Sequence, residues 1–188
     1  MSLKNPNPQG KGLVPVMDSL AASRARVSVP PKHIDQISSE LFTSLFVLHS
    51  KFHFKPVVAK PYWLYRRADD SFHLSMINPD EWGGTSFGQC IGECMLQQDI
   101  TWTLTLDKSA AEDAGLIKLI EERRRQFEDA LRAADSVDDV LPVYLASLPF
   151  YQRVFASAVA NSLKQSMQKS GIHGLSYAQA KGLLGHEG

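Results

Sequence analysis

Apolar residues recur along this chain with two distinct periods, and the change of period marks out its parts. Between 32 and 53, Ile34, Ile37, Leu41, Leu45, Leu48 and Phe52 return at steps of three and four, which predicts a helix. Phe42, Phe46 and Val47 widen its apolar stripe. A helix apolar over so much of its girth is either central in its fold or part of an oligomer contact. Pro56 is its stop. Further on, "ITWTLTL" at 100–106 alternates without error. Ile100, Trp102, Leu104 and Leu106 face one way and three threonines the other, as in a half-exposed strand.

Between these lie "PYWLYRR" (61–67) and "SFHLSMI" (71–77), two apolar–aromatic runs around "ADD", which predict a β-hairpin. Two registers are open. If Arg67 faces Phe72, then Trp63, Tyr65, Phe72, Leu74 and Met76 share one face. A slip by one residue groups Tyr62 and Leu64 with the second strand instead and frees Trp63 and Tyr65. The first is preferred for its cleaner apolar face. "INPDEWGG" (77–84) comes next. Asn78 is a favoured N-cap, Pro79 a favoured first helical residue, and Glu81 stands at capping-box spacing before Gly83 and Gly84 stop the turn. The spacing predicts one capped turn with Trp82 as a lid over the core. The alternative is a loop presenting Glu81 and Trp82 to a ligand. Residues 87–98 receive no firm element: Cys90, Ile91, Cys94 and Met95 fit a helical face, but Gly88 and Gly92 weaken it.

From 110 onward the pattern is helical. Leu116, Leu119, Ile120, Phe127 and Leu131 form one stripe; Val140, Leu141, Tyr144, Leu145 and Leu148 suggest a second helix at 138–147. A third begins at Pro149, carries Val154, Phe155, Ala158, Val159, Leu163 and Met167, and ends at Gly171; a short last one starts after Ser176. Upstream, residues 4–31 are Pro-rich and read as an extended arm, with a short helix at 15–24. The expected architecture is α+β. A small antiparallel sheet (61–67, 71–77, 100–106) is packed by the long helix 32–53, with a C-terminal helical subdomain. The domain reading is arm 1–31, core 32–108 and helices 110–185, the last two in one globular unit.

Part of this pattern resembles a known family, the domain of unknown function family 2452, found in animals and some bacteria. The resemblance is carried by "KPYWLYRR", "SMINPDEWG" and "QQDITW" in that order and covers about residues 33–104. It implies a shared fold and carries no activity, cofactor or site with it.

Composition changes the picture by exclusion. The 188 residues hold 20 Lys+Arg against 20 Asp+Glu, a net charge of zero that points away from nucleic acid. No apolar run reaches the roughly 18–20 residues of a membrane span. The N-terminus lacks a basic segment before an apolar core, which points away from secretion. Two cysteines are too few for a disulfide framework, so a reducing cytoplasm is expected.

Candidate chemistry is sparse. His49 and His53 stand four apart, the spacing of two metal ligands on one helix face. A third ligand would have to come from His73, Glu81 or a cysteine, so neither a metal nor any other cofactor is expected. Cys90 and Cys94 have three residues between them rather than the two of redox motifs and read as small apolar residues. "EERRRQ" (121–126) reads as a solvated helix face, with one of Arg123 and Arg124 near the apolar stripe. Tyr65, Arg66, Glu81, Trp82, Asp99 and Trp102 form the candidate ligand-binding set, read first as an Arg–carboxylate brace and second as a pocket. The function expected from all this is a non-enzymatic interaction domain of unknown partner, with a homodimer through helix 32–53 as one form of it. The alternative is a small-molecule or metal-dependent enzyme using Arg66, Glu81, Trp82 and Asp99.

Overall fold

The computed structural model describes residues 29–82, 87–143 and 145–184. Its frame is an antiparallel sheet of two hairpins. β1 (Pro61–Arg66) pairs with β2 (Phe72–Ser75), and β3 (Gln89–Leu96) pairs with β4 (Trp102–Leu106). β1 and β3 join the hairpins at the centre, giving the order β2-β1-β3-β4. Five helices stand among the described residues: α1 (Ile34–Leu48), α2 (Lys108–Ala111), α3 (Ala114–Ala133), α4 (Phe150–Lys169) and α5 (Tyr177–Leu184). The fold is therefore α+β, and none of these helices is long and apolar enough to cross a membrane.

Both hairpins close with the same five-residue loop, Arg67–Ser71 and Gln97–Thr101. In each, the first N–H donates to the fifth carbonyl (2.9 and 2.8 Å) and the fourth N–H donates back to the first carbonyl (3.0 and 2.9 Å). The central aspartate, Asp69 or Asp99, accepts on Oδ1 from the N–H and hydroxyl of the Ser71 or Thr101 that follows. The fourth residue takes a positive φ, 62° at Asp70 and 69° at Ile100. That conformation strains a β-branched residue; Ile100 is buried, and removing its side chain from water offsets the strain.

This loop shifts the first hairpin by one residue from the preferred sequence reading. Arg66, not Arg67, faces Phe72, and Leu64 faces Leu74, because Arg67 and Ser71 both belong to the loop. Tyr62, Leu64, Phe72 and Leu74 therefore point into the core. Trp63 and Tyr65 take the opposite face, and Met76 lies past the strand, exposed.

The open segment 87–98 contains the central strand β3. Its helical look has a cause. Tyr65 pairs with Cys90 and Leu64 with Gly92, so Ile91 bulges between them. The bulge brings Ile91 and Cys94, three apart, to the same buried side, and three is also a helical step. Gly92 is required there: a Cβ would lie 2.1 Å from the Thr105 carbonyl oxygen of β4.

α1 ends at Leu48, short of 53. Lys51 then bonds to the outer edge of β2, its N–H donating to Phe72 O (2.8 Å) and its carbonyl accepting from Leu74 N (3.0 Å). α1 packs against both β4 and α4, which consumes its broad apolar girth inside the chain. Ser44 Oγ, in the middle of the helix, accepts from Trp102 N (2.9 Å) and ties α1 to β4.

The predicted helix 138–147 is a short 3₁₀ turn, Val137–Val140, capped by Ser136. Pro142, which has no N–H to give, stands where an α-helix would have to continue. The two helices after it fall where the sequence places them, and Gly171 takes the left-handed C-terminal conformation, φ 73°. One contiguous apolar cluster runs from Ile34 to Ala180 through sheet and helices. The arm up to residue 28, its helix 15–24, the Gly83–Gly84 stop and Tyr144 lie outside the described residues.

Candidate functional site

The polar–aromatic set nominated from the sequence is distributed over four places. Tyr65 and Trp82 meet on the outer face of the sheet. Trp82 stacks on Phe87 with centroids 4.6 Å apart, the Arg67 guanidinium lies 4.5 Å from the Phe87 centroid, and Tyr65 meets both rings edge-on. Trp82 Nε1 donates to Tyr65 Oη (3.0 Å), which donates to Ile77 O (2.9 Å). Burial raises the Tyr65 phenol above its ordinary range, against the lowering effect of the indole N–H. Burial and the nearby Lys51 and Arg67 charges lower His73, whose ring is edge-on to Phe87. The polar tips of this group are thus spent on one another, and the group covers the outer sheet face as a second, smaller core. Glu81 completes the turn beneath it by accepting from Asn78 N (3.3 Å), while Asn78 Oδ1 accepts from Asp80 N (2.9 Å).

Arg66 pairs with Asp70 across the hairpin end, Nη2 to Oδ1 at 2.8 Å. Trp102 is fully buried in the main core. Asp99 lies elsewhere again, in the β3–β4 loop, where with Glu40 of α1 it holds the ammonium of Lys32. Lys32 is buried, and two carboxylates and the chain around it take the place of water. Burial would raise the Asp99 carboxyl, but the Lys32 and Thr101 hydrogen bonds outweigh it and the net direction is down. The same stretch is clamped from α4, whose Ser170 hydroxyl bonds both the N–H and the carbonyl of Lys32 at 2.7 Å.

His49 lies just past the end of α1, exposed, with Nδ1 donating to Leu45 O (2.7 Å), and His53 lies beyond the helix. Among the described residues no group of three or more His, Cys, Asp or Glu side chains is placed to hold a metal ion. Cys90 and Cys94 are free thiols, and burial pushes both upward, away from the reactive thiolate.

A different place has the geometry of a binding site. The C-terminal half of α1, the first hairpin and α3 enclose an open cleft of about 450 Å³. Phe42, Leu45 and Phe46 come from α1, Phe72 from β2, and Phe127 from α3. Its existence follows from α3, which carries a stripe of large apolar residues yet fully buries only Leu116 and Leu131. Phe127 and the neighbouring Leu119 and Ile120 stay half-buried. At the lip stand cations. Arg123 lies 5.2 Å from the Phe72 centroid and 5.6 Å from that of Phe46, and Arg124 lies 4.6 Å from Phe42. Lys51, His49, Asp70 and Ser71 complete the lining. The sequence reading placed one of the two arginines near the apolar stripe; both are there. The signal that was available is the widening of the α1 stripe by Phe42 and Phe46, but α1 and α3 are far apart in the chain, and nothing local says that they meet.

Residues 39–122 match a family model described as "Protein of unknown function (DUF2452)". The match spans α1 from its second turn, the whole sheet and the first half of α3, and so includes the cleft lining except Arg123 and Phe127. No curated protein and no solved structure matches the chain.

Proposed function

We propose that this protein is a non-enzymatic binding module whose site is the phenylalanine cleft between α1, the first hairpin and α3. The observation that carries this reading is the cleft itself. Five apolar side chains, of which Leu45 and Phe127 are half-buried, line an open space of about 450 Å³, within the size range of ligand sites, and charged groups stand at its mouth. The charged residues of the candidate ligand-binding set, which the alternative enzyme reading would use, support the same reading from the other side, because Arg66, Glu81 and Asp99 are each engaged in a bond that shapes a turn or braces the chain. A homodimer through α1 has less to draw on, since most of the helix's apolar side chains are already buried within the chain. The two free thiols favour a reducing compartment such as the cytoplasm.

The test is ligand-observed NMR with a set of neutral aromatic fragments. Saturation transfer is expected from the parent protein and should disappear in Leu45→Trp, which fills the cleft from the half-buried Leu45 position. Fragments that bind both proteins alike, or none that bind the parent, would reject the cleft as the site.

A further inference from the structure

We infer that the cleft receives an acidic–apolar peptide segment of a partner protein, one in which a bulky aliphatic or aromatic side chain stands beside a carboxylate. This rests on the cleft being the binding site, as proposed above, and adds what enters it.

Charge carries the inference. The whole chain is neutral, yet the cleft lining holds Lys51 and Arg123, and Arg124 stands over its Phe42 wall. Among the described residues none of these three has a carboxylate within ion-pair distance, whereas the other arginines of the same helix, Arg125 and Arg132, do. The one acid in the lining, Asp70, is already held by Arg66. A local surplus of positive charge on a neutral protein calls for an anion from outside.

Geometry narrows the anion. The Arg123 and Arg124 guanidiniums lie against phenylalanine rings. A guanidinium stacked on a ring keeps its in-plane N–H fork available, and that fork matches a carboxylate. An apolar group seated among Phe42, Phe46 and Phe127 therefore meets donors at the lip. Phe42, Phe46 and Phe72 are themselves more than nine-tenths buried, so they offer walls for an inserted side chain rather than free faces on which nucleobases could stack. The apolar surface is recessed, which suits an inserted side chain better than a lipid bilayer surface, where protruding apolar groups anchor a protein. An apolar anchor with charge at the rim is the form of a peptide groove.

Short random peptides displayed on phage, panned against the full chain, test this. The enriched consensus is expected to place Asp or Glu close to Leu, Ile, Phe or Trp. A synthetic peptide of that consensus should bind the parent and weaken as salt is raised. It should bind about tenfold or more weakly to the Arg123→Gln/Arg124→Gln double variant, and its Gln-for-Glu counterpart should lose as much on the parent. Thermal melts of the double variant should overlay the parent, separating lost binding from lost folding. Absence of enrichment, a consensus without acids, or equal binding to parent and double variant would overturn the inference. A neutral apolar consensus blocked by Leu45→Trp would overturn it while leaving the cleft standing as a site. Absence of fragment binding to the parent as well would remove both.

Discussion

Two tryptophans nominated together from the sequence play different parts. Trp102 is fully buried in the main core and packs edge-on against Tyr62 with centroids 6.0 Å apart. Trp82 is half-buried and held by Phe87 and Tyr65 on the solvent side of the sheet. Trp102→Ala should leave an internal cavity and cost about 3–5 kcal/mol. Trp82→Ala should lose an aromatic stack and a hydrogen bond without opening the main core, and should cost about 1–3 kcal/mol. Urea melts of the two variants check the order; a Trp82 variant less stable than the Trp102 variant would make the outer cluster the principal core. The capped turn at Asn78 is a local matter that the sequence spacing already contained. Where the indole pointed depended on the hairpin register, which one loop residue decided.

At the scale of elements, the sheet is one hairpin design used twice, with Asp69-x-Ser71 and Asp99-x-Thr101 closing the two loops alike. Only the second aspartate also holds Lys32. Asp99→Asn should therefore destabilise the protein more than Asp69→Asn, by about 2 kcal/mol at neutral pH, since it weakens a charge-assisted bond to a buried ammonium. The sign with pH follows from the lowered folded-state carboxyl. Its contribution is present above the unfolded carboxylate range and is lost as pH falls through the folded value, so parent and Asp99→Asn should converge in stability in acid. Equilibrium denaturation at neutral and acid pH measures this; a gap that widens in acid would contradict the assignment. β3 offers a second test. Gly92→Ala puts a methyl where β4 backbone already stands, and the strands must part or shift. A loss of more than about 3 kcal/mol, or failure to fold, is expected, well beyond the roughly 1 kcal/mol of an ordinary strand substitution.

At the scale of the whole molecule, Lys32 joins three otherwise separate parts: the entering chain, α1 through Glu40, and the β3–β4 loop through Asp99. Ser170 adds the end of α4 to the same point. Removing the cation leaves two mostly buried carboxylates facing one another. Lys32→Met should therefore cost about 3 kcal/mol, and adding Asp99→Asn to it should recover part of the loss rather than deepen it. A double-mutant cycle measured by thermal or urea unfolding gives the coupling; purely additive losses would mean that the three groups do not act as a unit.

The chain's own pattern was enough for the α+β class, for α1, for three of the four strands or their neighbourhood, and for the helices at 114–133, 150–169 and 177–184. The reason is that helical stripes and strand alternation are local, written within a dozen residues. The Asn78–Glu81 cap was legible for the same reason. What the tertiary structure decided depended on distant backbone. β3 was hidden because its bulge makes strand burial recur at a helical step and because its Gly92 answers to β4, not to its own neighbours. The hairpin register turned on whether Arg67 belonged to the strand or to the loop, a difference of one residue that reverses every side chain. The candidate site set came apart because Arg66, Glu81 and Asp99 each had a nearer partner than one another. The phenylalanine cleft came together because α3 approaches α1 across the tip of the first hairpin, and a stripe along one helix says only that it needs covering, not by what or how completely.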